Sequence, residues 1–316
     1  MSRQSYGTIG VLMGGYSSER EISLRSGHAV AEALSQEGHR VLSLDITTDD
    51  MSKIIQQIQA IPLDIAFIAL HGRLGEDGVI QGILEKLEIP YTGSGVKASQ
   101  MAFNKILTQK ALKSAGLPVA AYFCITDGKN SDFKIVWNHI KSTPLVIKPA
   151  CEGSSLGVHI VRHPSEWEPA LKNALGYGPQ IIIEEYIKGR EFTVGIFDHE
   201  ALPLVEICPK SNFFSFSAKY QKGATRYICP AESSENLTRK IKEISLGAYE
   251  ALDCEGFARV DIRVDDQGQP FILEVNTIPG FTETSLFPKA AREAGYSFVQ
   301  VCEKLLDLAY GKKIQR

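Results

Sequence analysis

Residues Phe257–Gly280 read FARVDIRVDDQGQPFILEVNTIPG. Two runs alternate apolar and polar side chains, the mark of half-buried strands. A two-residue turn centred on Gln267-Gly268 joins them as a hairpin, with the glycine supplying positive φ. In that register Asp261 stands opposite Glu274, and Arg259 opposite Asn276. The period of two puts these four on one face and Val260, Ile262, Val264, Phe271, Leu273 and Val275 on the other. Directly opposed carboxylates repel. A divalent cation removes that conflict, and an oxygen-only set suits Mg²⁺ or Mn²⁺. The pattern also fits the solvated outer face of an edge hairpin. An odd-length loop would slip one strand against the other and break the constellation.

Upstream, the first hundred residues alternate strand and helix patterns. TIGVLMGG precedes a helix from about Ser23 to Glu37, then HRVLSLDI, DDMSKIIQQIQA, LDIAFIALHG and GVIQGILEKLE follow in turn. Repeated βα units predict a parallel, doubly wound sheet. Ser18-Glu19-Arg20-Glu21 fits a capping box on the first helix. From Ser99 the texture changes: SQMAFNKILTQKALKSAG reads as one helix, followed by strands and helices with hairpin-like spacing. Longer consecutive strands begin at GREFTVGIFD, and two helices, about Glu235 to Leu252 and Ser297 to Tyr310, close the chain. The expected division is 1–98, 99–187 and 188–316. Residues 208–230 lack regular patterning and are rich in aromatics, lysine and glycine, as suits an active-site lid.

The totals exclude several classes. A chain of 316 residues with 44% hydrophobic and 22% charged residues suits a soluble globular protein with two or three domains. A net charge of -3 argues against a general nucleic-acid binder. No apolar run approaches a membrane span. YGTIGVLMGG runs into a Gly-Gly turn and reads as a first strand, not a leader. Six scattered cysteines without a C-x-x-C pair suit a reducing cytosol. No G-x-G-x-x-G fingerprint supports a nicotinamide dehydrogenase.

LVIKPACEGSSLGVHIV is a strand, a Gly/Ser loop and a strand. Gly153, Ser154 and Ser155 offer amides and hydroxyls to a phosphate, and Lys148 and Lys105 offer charge. An ordinary flexible turn has the same composition, and no Walker lysine follows. IIIEEYIKGREF carries Glu184, Glu185 and Glu191, either an adenine-and-ribose hinge or a strand end facing water. Glu19 begins a helix beside Gly-Gly, where the dipole favours a carboxylate whether or not it binds anything. His71 at a strand exit suits a hydrogen-bonded histidine as well as a site residue.

Taken together, GGYSSEREISL, ALHGRLGEDG, PYTGSG, VIKPACEGSSLGV, SAKY, ARVDIRV and EVNTIPGFTETSLFP resemble the ATP-grasp superfamily, and closely the D-alanine–D-alanine ligases. The likeness covers nearly the whole chain. It implies an α/β and α+β architecture: the doubly wound domain followed by a two-domain ATP-grasp fold. It implies ATP-dependent joining of two D-alanines through an acyl phosphate, for peptidoglycan synthesis in the cytoplasm, by a homodimer that engages neither nucleic acid nor membrane. Two Mg²⁺ or Mn²⁺ ions would be held by Asp261, Glu274 and Asn276, with Glu274 bridging.

The resemblance assigns further roles. ATP would meet Lys105, Lys148, Glu184, Ile187, Glu191 and Lys219 beneath the Gly153-Ser154-Ser155 loop. Glu19 would bind the first ammonium, with His71 positioning, and Ser285 and Leu286 would receive the second carboxylate. Arg259 and the Gly280 N–H would stabilise the oxyanion. Glu19, Ser154 and Tyr220 would form a hydrogen-bonded closure. Phenylalanine at the Tyr220 position accompanies D-lactate as acceptor within the family, so tyrosine favours D-alanine. The chain departs from the family at Ser215, usually acidic, and at Glu185, lysine in some relatives. Ligases making D-alanyl-D-lactate or D-alanyl-D-serine, and a non-catalytic ATP- or metal-binding regulator, are the alternatives.

Overall fold

The computed structural model of the chain describes residues 5–126, 131–210, 221 and 223–315. Strands β1 (Thr8–Gly14), β2 (Arg40–Ile46) and β3 (Ile65–Ile68) form a parallel sheet in the order β2-β1-β3. β1 and β3 are buried along their whole length, as parallel strands covered on both faces must be. Helices α1 (Arg20–Gln36), α2 (Met51–Gln59) and α3 (Val79–Lys86) alternate with them. The expected capping box is absent: α1 starts at Arg20, and its N-cap Glu19 makes no side-chain cap bond. Ser17 closes the turn, its hydroxyl accepting from the Glu19 N–H at 3.2 Å. The Glu19 carboxylate turns instead toward Ser154, in another segment.

The stretch expected as one helix is two, α4 (Val96–Phe103) and α5 (Lys105–Ser114). Asn104 breaks them in an extended conformation, its Oδ1 accepting from the Ile106 and Leu107 amides at 3.0 and 3.3 Å. A polar side chain able to cap competes with the helix interior. Lys105 becomes the first residue of α5. A second, antiparallel sheet runs β4-β7-β5-β6, built from β4 (Tyr122–Thr126), β5 (Leu145–Pro149), β6 (His159–Val161) and β7 (Gln180–Glu185). Helices α6 (Phe133–Ile140) and α7 (Trp167–Leu175) pack beneath it around Trp167, Ile147 and Ile181.

The third sheet is antiparallel. Its strands are β8 (Gly189–Phe197), β9 (Glu200–Ala201), β10 (Val205–Pro209), β11 (Thr225–Ile228), β12 (Phe257–Asp265) and β13 (Pro270–Asn276). The order is β11-β10-β8-β12-β13, with β9 on β8. Helix α8 (Glu235–Ala251) covers its apolar face. The region expected to be irregular, 208–230, holds the end of β10 and all of β11; Ser215, Lys219 and Tyr220 lie outside the described residues. Three helices follow rather than two, because α9 (Leu286–Glu293) precedes α10 (Phe298–Gln315). Both return to the parallel sheet: Phe281, Phe287 and Leu305 share one hydrophobic cluster with Ile9, Val11 and Phe67.

The β12–β13 hairpin keeps the expected pairs, Asp261 opposite Glu274 and Arg259 opposite Asn276. The expected turn is wrong. Val264 pairs with Pro270, and the Asp265 N–H reaches the Gln269 carbonyl, so the tip is the odd loop Asp266-Gln267-Gly268. A β-bulge between Asp261 and Ile262 absorbs the slip, and Leu273 is the extra residue. The dry face is therefore Val260, Ile262, Val264, Ile272 and Val275, all buried in one cluster. Phe271 and Leu273, expected there, are only partly buried, and Leu273 lines a cavity on the polar side.

Candidate active site

Two cavities meet above this hairpin. The larger, about 720 Å³, is lined by Glu19, His71, Ser154, Arg259, Asn276 and Gly280. The smaller, about 90 Å³, is lined by Lys148, Ser155, Glu184, Ile187, Glu191 and Asp261. Lys105, Glu152 and Glu274 line both. The three oxygen-bearing residues of the hairpin thus span the junction, with Glu274 at its centre.

The bulge and the strand register put Asp261 and Glu274 side by side, and protein cations hold each. Arg259 donates twice to Asp261, from Nε and Nη2, both at 2.9 Å. Thr193 donates to the same carboxylate at 2.6 Å. Lys105 lies 3.3 Å from Glu274 and donates to the Glu152 carbonyl at 2.6 Å. Burial works to lower the pKa of Lys105, but the charge and hydrogen bond of Glu274 outweigh it and the net shift is upward. Arg259 behaves likewise: burial opposes, Asp261 prevails, and the guanidinium is held charged. The Asn276 Oδ1 accepts from the Ile278 N–H at 2.9 Å, which starts the turn at the strand exit.

Among the described residues, no three His, Cys, Asp or Glu side chains cluster as a metal site. Two carboxylates and one carboxamide are nevertheless what a hard divalent cation needs when phosphate oxygens complete its shell. Two neighbouring carboxylates, each needing a cation to relieve the repulsion, fit that requirement.

On the small-cavity side, Lys148 pairs with Glu184 across β5 and β7, and both are nearly buried. Arg263 holds Glu191 at 3.2 Å. Ser154 and Ser155 have φ of 52° and 59°, and Gly157 of 66°. Successive left-handed residues turn backbone N–H groups to one side, a concavity suited to an anion.

On the large-cavity side, Ser154 donates its hydroxyl to Glu19. Gly153 allows the approach, since a Cβ there would lie 2.7 Å from Glu19 Oε2. His71 is buried, 2.9 Å from the Ile278 carbonyl and 3.1 Å from the Ser26 hydroxyl. Ser285 is the N-cap of α9, but its hydroxyl folds back to take the Thr282 N–H at 3.0 Å, and Leu286 opens the helix. Gly280, Ser285 and Leu286 all face this cavity.

Every site residue expected from the sequence and described here lies on one cavity or the other; Lys219 and Tyr220 lie outside the described residues. The sequence reading missed four. Thr193 and Glu76 were overlooked, as were Leu273 and Gln109. Thr193 pairs with Asp261, and Glu191 with Arg263, so the polar alternation of GREFTVGIF carried the signal for Thr193. Glu76 takes the Gly72 N–H at 3.0 Å beside His71. The buried amide of Gln109 donates to the Leu273 carbonyl at 3.1 Å and to Glu184 at 3.3 Å, tying the bulge to the small cavity. Nothing local in the sequence marks it.

The family model described as D-ala D-ala ligase C-terminus matches residues 111–307, and that described as D-ala D-ala ligase N-terminus matches residues 47–94. A protein of Geotalea uraniireducens named D-alanine–D-alanine ligase is 46% identical over 304 residues, covering 95% of each chain. One of the same name from Anaeromyxobacter sp. (strain K) is 44% identical, covering 95% of this chain and 96% of its own. The crystal structure of D-alanine–D-alanine ligase from Bacillus anthracis complexed with ATP superimposes with a TM-score of 0.86 at 32% identity, over 98% of this chain and 99% of that one.

Proposed function

The chain belongs to the D-alanine–D-alanine ligase family, and from that premise we propose that it joins two D-alanines into D-alanyl-D-alanine at the expense of ATP, for peptidoglycan precursors. The observation that carries the reading is the position of Glu274. It stands where a small cavity walled by Lys148, Glu184 and Ile187 opens into a larger one walled by Glu19, Arg259 and Gly280. A nucleotide in the first would present its terminal phosphate to an amino acid in the second.

The chemistry assigns work to each wall. Glu184, Ile187, Glu191 and the exposed side of Leu273 would hold adenine and ribose. Lys105, Lys148, Lys219 and the amides of the Gly153-Ser154-Ser155 loop would hold the phosphates. Glu19, oriented by Ser154, would grip the ammonium of the first D-alanine, and the carboxylate of that D-alanine would attack the γ-phosphorus, breaking its bond to the bridging oxygen, to give an acyl phosphate and ADP. The amine of the second, with its carboxylate at Ser285 and Leu286, would then attack the carbonyl and release phosphate. Arg259 and the Gly280 N–H would meet the oxyanion, where preorganised donors matter most. Asp261, Glu274 and Asn276 would hold Mg²⁺ or Mn²⁺, two ions in this family, which supply charge neutralisation at the phosphates. Lys105 would then leave Glu274 for the nucleotide.

Tyr220 would join Glu19 and Ser154 in closing the site, and it favours D-alanine over D-lactate as acceptor. The same reading includes a cytoplasmic homodimer and a division at about residues 98 and 188. Among the described residues, no helix is long and apolar enough to cross a membrane.

Phosphate release measured with ATP, Mg²⁺ and D-alanine alone tests the reading. Turnover with D-alanine as sole amino acid is expected. Turnover that requires D-lactate or D-serine would replace it with the corresponding ligase, and none with any acceptor would favour a regulator.

A further inference from the structure

Ser26 lies on α1, fully buried, and the chemistry above gives it no part. Its Oγ accepts from the Phe281 N–H at 3.0 Å and stands 3.1 Å from His71 Nε2. Across the ring, Nδ1 is 2.9 Å from the Ile278 carbonyl. A carbonyl only accepts, so Nδ1 carries a proton. With that one proton on the ring, Nε2 is bare and accepts from the Ser26 hydroxyl. Glu76 Oε1, 3.6 Å from Nδ1, favours the same placement of the proton.

In that tautomer the bonds run in one direction. Phe281 N–H donates to Ser26, Ser26 to His71, and His71 to the Ile278 carbonyl. The chain starts and ends on the turn 278–281, gripping it on both sides of Gly280. Residues far apart in sequence are joined, since Ser26 and Phe281 are separated by 255 positions. Gly280 lines the large cavity beside Arg259, whereas Ser26 does not reach it.

We infer that Ser26 is a positioning residue: by holding His71 in its Nδ1–H tautomer and the Phe281 amide in place, it sets where the Gly280 backbone meets the reacting carbonyl. This rests on the ligase reading above, and it assigns Ser26 no contact with substrate. A donor aimed wrongly at a developing oxyanion costs turnover rather than nucleotide affinity.

The test combines kinetics with imidazole ¹⁵N NMR on the full chain. In Ser26→Ala, kcat is expected to fall about tenfold or more while KM for ATP stays within about twofold. Ser26→Thr, which keeps the hydroxyl, restores most of the loss. The ¹⁵N shifts of His71 in the unaltered protein should show Nδ1 protonated and Nε2 bare. Should Ser26→Ala not fold, those shifts decide alone. Protonated Nε2 in the unaltered protein, or a kcat for Ser26→Ala within about twofold of the parent, overturns the inference. If the unaltered protein fails to turn over D-alanine and ATP, the ligase reading falls separately, and the tautomer still decides whether Ser26 donates to His71.

Discussion

Gly153 shows how one missing atom shapes the site. Its φ is not in the left-handed region, so conformation alone does not demand glycine there; the close approach of Glu19 does. An alanine Cβ at 2.7 Å from Glu19 Oε2 would push a flexible carboxylate away from Ser154 and leave the backbone where it is. Gly153→Ala should therefore keep or slightly raise its melting temperature, since a compatible Gly→Ala change contributes about 0.4–1 kcal/mol of stability through the unfolded chain. It should raise KM for D-alanine about tenfold, roughly 1.4 kcal/mol of binding. Steady-state kinetics with D-alanine varied checks this; an unchanged KM means Glu19 does not grip the ammonium. At this scale the sequence was informative wherever a polar residue broke an apolar period, as Asp261, Glu274 and Asn276 do. It was silent where a role depends on tertiary partners, as for Gln109; the pairing of Glu19 with Ser154 was implied by the family resemblance and by nothing in the spacing of the two residues.

The elements carry a different lesson. The hairpin pairs Asp261 with Glu274 as the alternation predicts, yet through two compensating irregularities, an odd loop and a bulge at Leu273. Neither is legible locally, because a loop of two or three residues around Gln267-Gly268 suits the same letters. The bulge also moves Leu273 out of the dry face and into the wall of the small cavity. Asn104 hides its break for a related reason: helix periodicity runs straight through it, and only its extended backbone reveals two helices. That break gives a prediction. Asn104→Ala removes the acceptor for the Ile106 and Leu107 amides and the donor to Gln180, which lies 3.1 Å away. Loss of an N-cap of this kind costs about 0.5–2 kcal/mol. Because Lys105 is the next residue and ties Glu274 to the Glu152 carbonyl, KM for ATP should rise as well. Urea denaturation together with ATP kinetics separates the two effects. A stability loss without any kinetic change would mean that the cap holds the helix but does not aim the lysine.

Across the whole molecule, the end of the chain returns to its beginning. Tyr6 donates to Asp307 at 2.6 Å, His39 meets Glu303 at 2.9 Å, and Phe67 packs on Phe281 at 5.6 Å, so the parallel sheet and the closing helices share one core. The βα repeats announced the sheet, but nothing in them announced that α9 and α10 would complete it. A second core lies under the antiparallel sheet, and each core encloses a thiol: Cys302 in the first, Cys254 in the second. Burial pushes both thiols upward, Cys254 from the ordinary 9.0 to about 12. The sign follows from linkage. Below the unfolded value both states keep the proton and stability is full. Above it the unfolded chain ionises while the folded one does not, so stability falls as pH rises from 9.0 toward about 12 for Cys254. Tyr249, also raised by burial, adds to the same alkaline loss. The urea midpoint should therefore drop between about pH 8 and about pH 10.5. In Cys254→Ala the midpoint starts lower, because packing and the thiol's hydrogen bond with Ser94 are lost, but its drop over that interval should be visibly smaller than the parent's. Equal slopes would mean that the second core admits hydroxide or water to Cys254 before it unfolds, and that the thiol is not sealed by the packing of α8 on β12 and β13.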